Sequence, residues 1–162
     1  VQRARERVSR STVLCGDITV PDAPLVGRYD MITAYRFILN AEPELRRSAF
    51  AALRDRLRDA SSILVFNNHG NLCSHKAVLY PVHTMLRAGR RVTAGNYLTH
   101  GQIVKLADSV GLVAERIGGC GVFGGRLSRL LPDDRLYRWE RRLADSALNR
   151  VAVNQTYVAR LG

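Results

Sequence analysis

No apolar run in this chain approaches the roughly 20 residues that would span a bilayer as a helix. The opening stretch, Val1-Gln2-Arg3-Ala4-Arg5-Glu6-Arg7-Val8, lacks the apolar centre of a signal peptide, so a cytoplasmic location is expected. Cysteine is scarce. Cys15, Cys73 and Cys120 are odd in number and widely spaced, which argues against a disulfide framework and for reduced thiols. Lysine is nearly missing, since every basic residue except Lys76 and Lys105 is arginine. There is no Gly-x-Ser-x-Gly elbow for a serine nucleophile and no paired-carboxylate arrangement. Gly124-Gly125-Arg126 lacks the Lys-Ser/Thr of a phosphate loop. Polar low-complexity tracts are also missing, and 46% of the residues are apolar, so a folded domain is expected.

What is present suits one domain: 162 residues can bury a proper core but not two. The net charge of +11 invites a nucleic-acid or anionic-surface partner. Against that, the arginines are spread over several helices, and the aromatics are not interleaved with them along one strand as stacking platforms require. The chain starts at Val1, in what reads as the middle of a charged helix, so a segment upstream is expected.

Three helices are legible. Residues 44–60 place Leu45, Ala49, Phe50, Leu53, Leu57 and Ala60 on one stripe, with Pro43, Glu42 and Glu44 at a favourable N-terminus. A second helix begins at Thr99, with Gln102 at capping-box spacing, and stops at Gly111. A third starts near Pro132 and aligns Leu136, Trp139, Leu143 and Ala147. Strands are expected at 12–15, 30–34, 61–66, 112–117 and 153–159. Several are continuous apolar runs, as when helices cover both faces of a sheet. Their alternation with helices predicts an α/β, doubly wound, mostly parallel sheet whose last strand returns antiparallel.

In such sheets ligands bind outside the carboxyl ends of the strands, and three expected ends carry polar groups. One run ends in Gly16-Asp17-Ile18, a second opens into Ala34-Tyr35-Arg36-Phe37, and a third into Asn67-Asn68-His69-Gly70-Asn71. Asp17 either accepts a hydrogen bond from a ligand amine or is a turn aspartate, and both readings stay open. Asp22, Asp30, Asp133 and Asp134 read as turn and cap residues. Gly119-Cys120-Gly121-Val122-Phe123-Gly124 matches the dinucleotide fingerprint literally, but too little chain follows for the unit that motif requires, and it reads as a turn after a strand. His69-x3-Cys73-x-His75 offers nitrogen and sulfur donors, but no second pair lies nearby, so no metal is expected.

The order of these elements resembles the class I S-adenosylmethionine-dependent methyltransferases over nearly the whole chain. The resemblance rests on Gly16-Asp17-Ile18, on Tyr29-Asp30-Met31-Ile32 followed by Ala34-Tyr35-Arg36-Phe37, on Asn67-Asn68-His69, on the Thr99–Gln102 helix start with Gly111, and on Tyr157-Val158-Ala159 in the last strand. It implies a Rossmann-like fold with sheet order 3-2-1-4-5-7-6, S-adenosyl-L-methionine as cofactor, and methyl transfer to a small-molecule acceptor that the sequence does not name, for which Arg36 and the basic residues of 72–98 hint at an anionic group. It further implies Gly16, Asp17, Ile18, Ala34, Tyr35 and Arg36 on the cofactor side, with Asp17 at the adenine amine. His69 would be the catalytic base, and Asn67, Asn68, Asn71 and Tyr97 would bind the acceptor. The family's glycine-rich loop and the acid that holds the ribose are not in the sequence, so residues 1–162 are expected to be one domain lacking its first two strands. Residues 72–98, with Lys76, Tyr80, His83, Arg87, Arg90 and Arg91, are expected to be an acceptor-side insertion. A basic nucleic-acid-binding module and a non-catalytic methyltransferase-like domain are the alternatives. Oligomeric state is left open.

Overall fold

The structure is a computed structural model, and residues 11–20, 27–75, 97–122 and 132–162 are described. Most of the expected insertion, residues 76–96, lies outside them, with Lys76, Tyr80, His83, Arg87, Arg90 and Arg91; so does Phe123-Gly124-Gly125-Arg126. The elements are β1 (Met31–Ala34), α1 (Pro43–Arg54), β2 (Ile63–Asn68), α2 (His100–Asp108), β3 (Leu112–Cys120), α3 (Asp133–Ala144) and β4 (Asn154–Leu161). They form one sheet in the order β1-β2-β4-β3. β1 runs parallel to β2, while β4 is antiparallel to both β2 and β3. Three strands therefore point one way and the last returns, the α/β arrangement the sequence predicts. The order reproduces the second half of the sheet that the resemblance implies. Among the described residues no helix is long and apolar enough to cross a membrane.

Three expectations need correction. The third helix ends at Ala144, short of Ala147, and leaves Trp139 55% exposed because no described element covers that part of the stripe. Residues 12–15 join no strand; Leu14 is 46% exposed, and no described strand lies beyond β1 to pair with them. An apolar run forms a strand only where a neighbour accepts its backbone hydrogen bonds. The first helix stops at Arg54 and does not continue to residue 60. Leu57 is buried by another route: it forms a parallel bridge with Tyr29, whose amide donates to the Arg56 carbonyl (2.8 Å) and whose carbonyl accepts from Arg58 (3.1 Å). The second helix starts as expected. Thr99 and Gln102 satisfy each other's backbone amides in a complete capping box.

Burial alternates along β2. Leu64, Phe66 and Asn68 are buried, whereas Ile63, Val65 and Asn67 are half-buried. The core thus lies on one face, where α1 brings Phe50 and Leu53 and α2 brings Ile103 and Ala107. Phe66 is at its centre. Its ring stacks on Tyr157 (centroids 5.2 Å, 8° between planes) and meets the Phe50 ring edge-on at 5.1 Å and 80°. β3 runs three residues further than expected, to Cys120, with a register shift between Arg116 and Gly118. Gly119 and Cys120 are therefore strand residues rather than the start of a turn. A Cβ at Gly119 would sit 2.8 Å from both the Ala152 Cβ and the Asn149 carbonyl, so close packing against the Ala147–Val151 turn requires glycine there.

A polar relay runs through this core. Tyr157 Oη donates to Gln155 Oε1 (2.8 Å), and His100 Nδ1 lies 3.2 Å from the same hydroxyl. Gln155 Nε2 in turn donates to the Arg150 carbonyl (3.1 Å). Burial, helped by Arg116 and Arg150, holds the His100 imidazole below its ordinary 6.5. Burial pushes the Tyr157 phenol up to about 12, with Arg116 partly opposing. The unfolded chain therefore binds a proton at residue 100 more readily than the folded one, and stability should fall as pH drops below 6.5. At the alkaline end the unfolded tyrosine ionises first, so stability should fall again as pH rises from 10 towards about 12. Urea midpoints measured between pH 5 and 8 should show the acid-side fall in the parent chain and a flatter profile in His100→Gln.

Candidate functional site

Because β1 and β2 are parallel with Ala34 opposite Phe66, their carboxyl ends emerge side by side. Tyr35-Arg36 and Asn67 follow directly. β4 enters the sheet at this same end, with Thr156 opposite Asn67, and β3 finishes there with Cys120 opposite Asn154. All four strands thus contribute to a cavity of about 530 Å³ lined by Tyr35, Arg36, Asn67 and His69 on one side. Cys120, Val153, Asn154 and Thr156 line the other.

The backbone at the mouth is strained. Arg36 has φ of 57°, the left-handed region that costs a non-glycine residue about 1–2 kcal/mol. Two side chains hold it there: the Arg36 amide donates to Asn67 Oδ1 at 2.8 Å, and its carbonyl accepts from Asn40 Nδ2 at 2.6 Å. A left-handed residue breaks the direction of the strand, so the chain turns across the carboxyl end of β2 instead of continuing past it. Tyr35, just before this turn, is 58% exposed.

The structure brings Tyr35, Arg36, Asn67 and His69 together and puts the other expected site residues elsewhere. Asn68 is fully buried on the opposite face of β2, with Nδ2 donating to the Leu98 carbonyl (2.9 Å) and Oδ1 accepting from Gly70 (3.3 Å). Asn71 is also fully buried. Its Nδ2 donates to the Arg150 and Ala152 carbonyls at 2.8 and 2.9 Å, and its Oδ1 accepts from Cys73 at 3.0 Å. Both amides brace the loop after β2 and are not presented to the cavity. Tyr97 is half-buried beside Leu98, which bridges to Asn71, and does not line the cavity.

On the expected cofactor side, Gly16 and Asp17 are exposed and do not line the strand-end cavity. The Asp17 carboxylate accepts from the Thr19 hydroxyl (2.7 Å) and amide (2.8 Å), and these bonds lower its pKa from the usual carboxylate value. That is the geometry of a turn aspartate. Ile18 and Ala34 meet in a separate, largely apolar depression of about 400 Å³ at the outer edge of β1, with Met31, Phe37 and Leu53. Cys15, Cys73 and Cys120 are free and exposed. Among the described residues no group of three or more His, Cys, Asp or Glu side chains is placed to hold a metal ion.

Sequence reasoning missed Cys120, Val153, Asn154 and Thr156. The available signal was the polar start of the last strand, Asn154-Gln155-Thr156, which becomes a site only once the β4 register with β2 and β3 is known.

No protein-family model matches this chain, and no curated protein matches its sequence. Among solved structures it is similar to magnesium protoporphyrin IX methyltransferase from Synechocystis PCC 6803 with bound SAH, at a TM-score of 0.57 and 14% identity over 99% of this chain. It is also similar to the pyocyanin biosynthetic protein PhzM, at a TM-score of 0.51 and 16% identity over 91% of this chain. The chain spans 57% of the length of the first and 34% of the second. At these identities the likeness is one of fold. What is shared is a Rossmann-like α/β fold, the fold class the sequence predicts.

Proposed function

We propose that this chain is the acceptor-side part of an S-adenosylmethionine-dependent methyltransferase domain that acts on an anionic small molecule. The observation that carries the reading is the convergence of Tyr35-Arg36 and Asn67-His69 on one cavity, at the strand ends where this fold class binds ligands. The similarity to a methyltransferase with bound SAH supports the cofactor class.

The residues present fit the acceptor wall better than the cofactor grip. The cavity offers a guanidinium, an imidazole, amides and hydroxyls, but no carboxylate among its described lining to hold ribose hydroxyls. The cofactor supplies an electrophilic methyl group; this chain's residues would bind and orient the acceptor. Arg36 pairs with a carboxylate or phosphate on it. Asn67, by fixing the Arg36 backbone, sets where that guanidinium starts. His69 takes a proton from an acceptor that must lose one, a role that demands hydrogen-bond reach in the bound complex. Alignment of the two reactants does much of the remaining work in such transfers.

Isothermal titration of SAH into the chain extended upstream through two further strands tests the reading. Binding at millimolar or tighter concentration is expected, and weaker binding in Tyr35→Ala would tie it to this cavity. A complete sheet that gives no heat with SAH would leave a non-catalytic domain of the same fold.

A further inference from the structure

Helix α3 carries a feature the cavity at the strand ends does not use. Arg135, Arg138, Trp139 and Arg142 line a depression of about 330 Å³ on its outer side. Their spacing places all four within a sector of about 100° on the helix. All four are exposed, Trp139 to 55%. The opposite side is anchored: Leu136, Glu140 and Leu143 are half-buried, and Glu140 Oε2 accepts from the amides of Gly121 (2.8 Å) and Val122 (3.3 Å) at the end of β3. The arginine face is thus held outward by a fixed helix. Asp134 and, at the C-cap, Asp145 border it. Asp134 pairs with Arg138 at 3.0 Å, and both side chains are about two-thirds exposed, so the pair is worth little and opens readily. Among the described residues Arg135 and Arg142 form no ion pair.

We infer that this outer face of α3, built from Arg135, Arg138, Trp139 and Arg142, binds single-stranded nucleic acid. Guanidinium forks match phosphate oxygens two bonds at a time. An exposed indole among them gives an unpaired base a surface to stack on, and base–aromatic stacking is indifferent to sequence. A free phosphate would satisfy the arginines but leave the indole unused. A duplex would satisfy them too, but keeps its base faces closed. A lipid surface wants an apolar helix face turned outward, whereas Leu136 and Leu143 are turned inward. The net charge of +11 draws any polyanion towards the molecule, and in this depression three arginines and a stacking plane coincide. The inference is independent of the methyl-transfer reading.

Trp139 is the chain's single tryptophan, so its fluorescence reports the site directly. Titration of the full chain with a single-stranded oligoadenylate of about twelve nucleotides should quench it saturably. Three phosphate contacts predict a slope of about −2 in log affinity against log salt. Arg135→Gln/Arg142→Gln should weaken binding by about tenfold or more at low salt and reduce the slope towards −0.7. Arg47→Gln/Arg160→Gln, which removes the same charge from exposed positions elsewhere, should retain most of the affinity and slope. Far-UV circular dichroism confirms that each variant is folded. The proposal is overturned if the oligonucleotide leaves the fluorescence unchanged or a hairpin duplex binds as tightly. It is also overturned if the control pair loses as much as the α3 pair, or if only phosphatidylserine vesicles quench.

Discussion

Phe66→Ala should destabilise the fold by about 3–5 kcal/mol, a large part of the roughly 5–15 kcal/mol that holds a typical domain together. Phe66 is fully buried in the middle of β2 and joins three elements: its own strand, β4 through the stacked Tyr157 ring, and α1 through the edge of Phe50. Each aromatic pair adds about 0.5–1.5 kcal/mol beyond the area it buries. The walls of the resulting cavity cannot close easily. β2 is hydrogen-bonded on both sides, to β1 and β4, and α1 is fixed at its C-terminal end by the Tyr29–Leu57 bridge. Phe66→Leu, which keeps most of the volume, should cost less than half as much. Urea unfolding at unchanged m-value measures both, and a loss below about 1.5 kcal/mol for the alanine variant would contradict this account of the core.

That centre was legible in advance, because β1 and β2 are short apolar runs followed by polar clusters. The capping box at Thr99 and Gln102 was equally legible, since it depends on only two residues at fixed spacing. The misreadings share one cause: periodicity records which residues are apolar, not what they pair with. Leu57 continues the stripe of α1 and is indeed buried, but through a bridge to a residue 28 positions earlier. Residues 12–15 have strand composition but belong to none of the four described strands. In the site, the strand tips at Tyr35 and Asn67 follow from where apolar runs end. The choice between Asn67 and Asn68 did not need the structure, whereas the burial of Asn71 in the loop after β2 did. Alternation along a strand puts Asn67 and Asn68 on opposite faces, so only one of them could share a side with His69. The far wall, Cys120, Asn154 and Thr156, required the register of an antiparallel pair, which no local pattern in either strand encodes.

Asn71→Ala should cost about 2–4 kcal/mol, because several polar groups lose their partner at once and a typical buried unsatisfied group costs about 1–3 kcal/mol. Truncation strands the Ala152 carbonyl and the Cys73 amide, and leaves the Arg150 carbonyl only its bond from Gln155 Nε2. Asn71→Asp should be no milder: it keeps the acceptor for Cys73 but aims a carboxylate at two carbonyl oxygens inside the protein. The effect should also reach the cavity. The Asn71 amide donates to the Val153 carbonyl, and Val153 and Asn154 form part of the wall opposite Arg36. Amide exchange at Cys73 and Asn154 should therefore accelerate in Asn71→Ala, while exchange at Ile103, within α2 and away from the loop, should rise only with the global loss of stability. Were Asn71→Ala to unfold within about 0.5 kcal/mol of the parent, the side chain would not be a brace, and the role the sequence first suggested for it, orienting an acceptor, would have to be reopened.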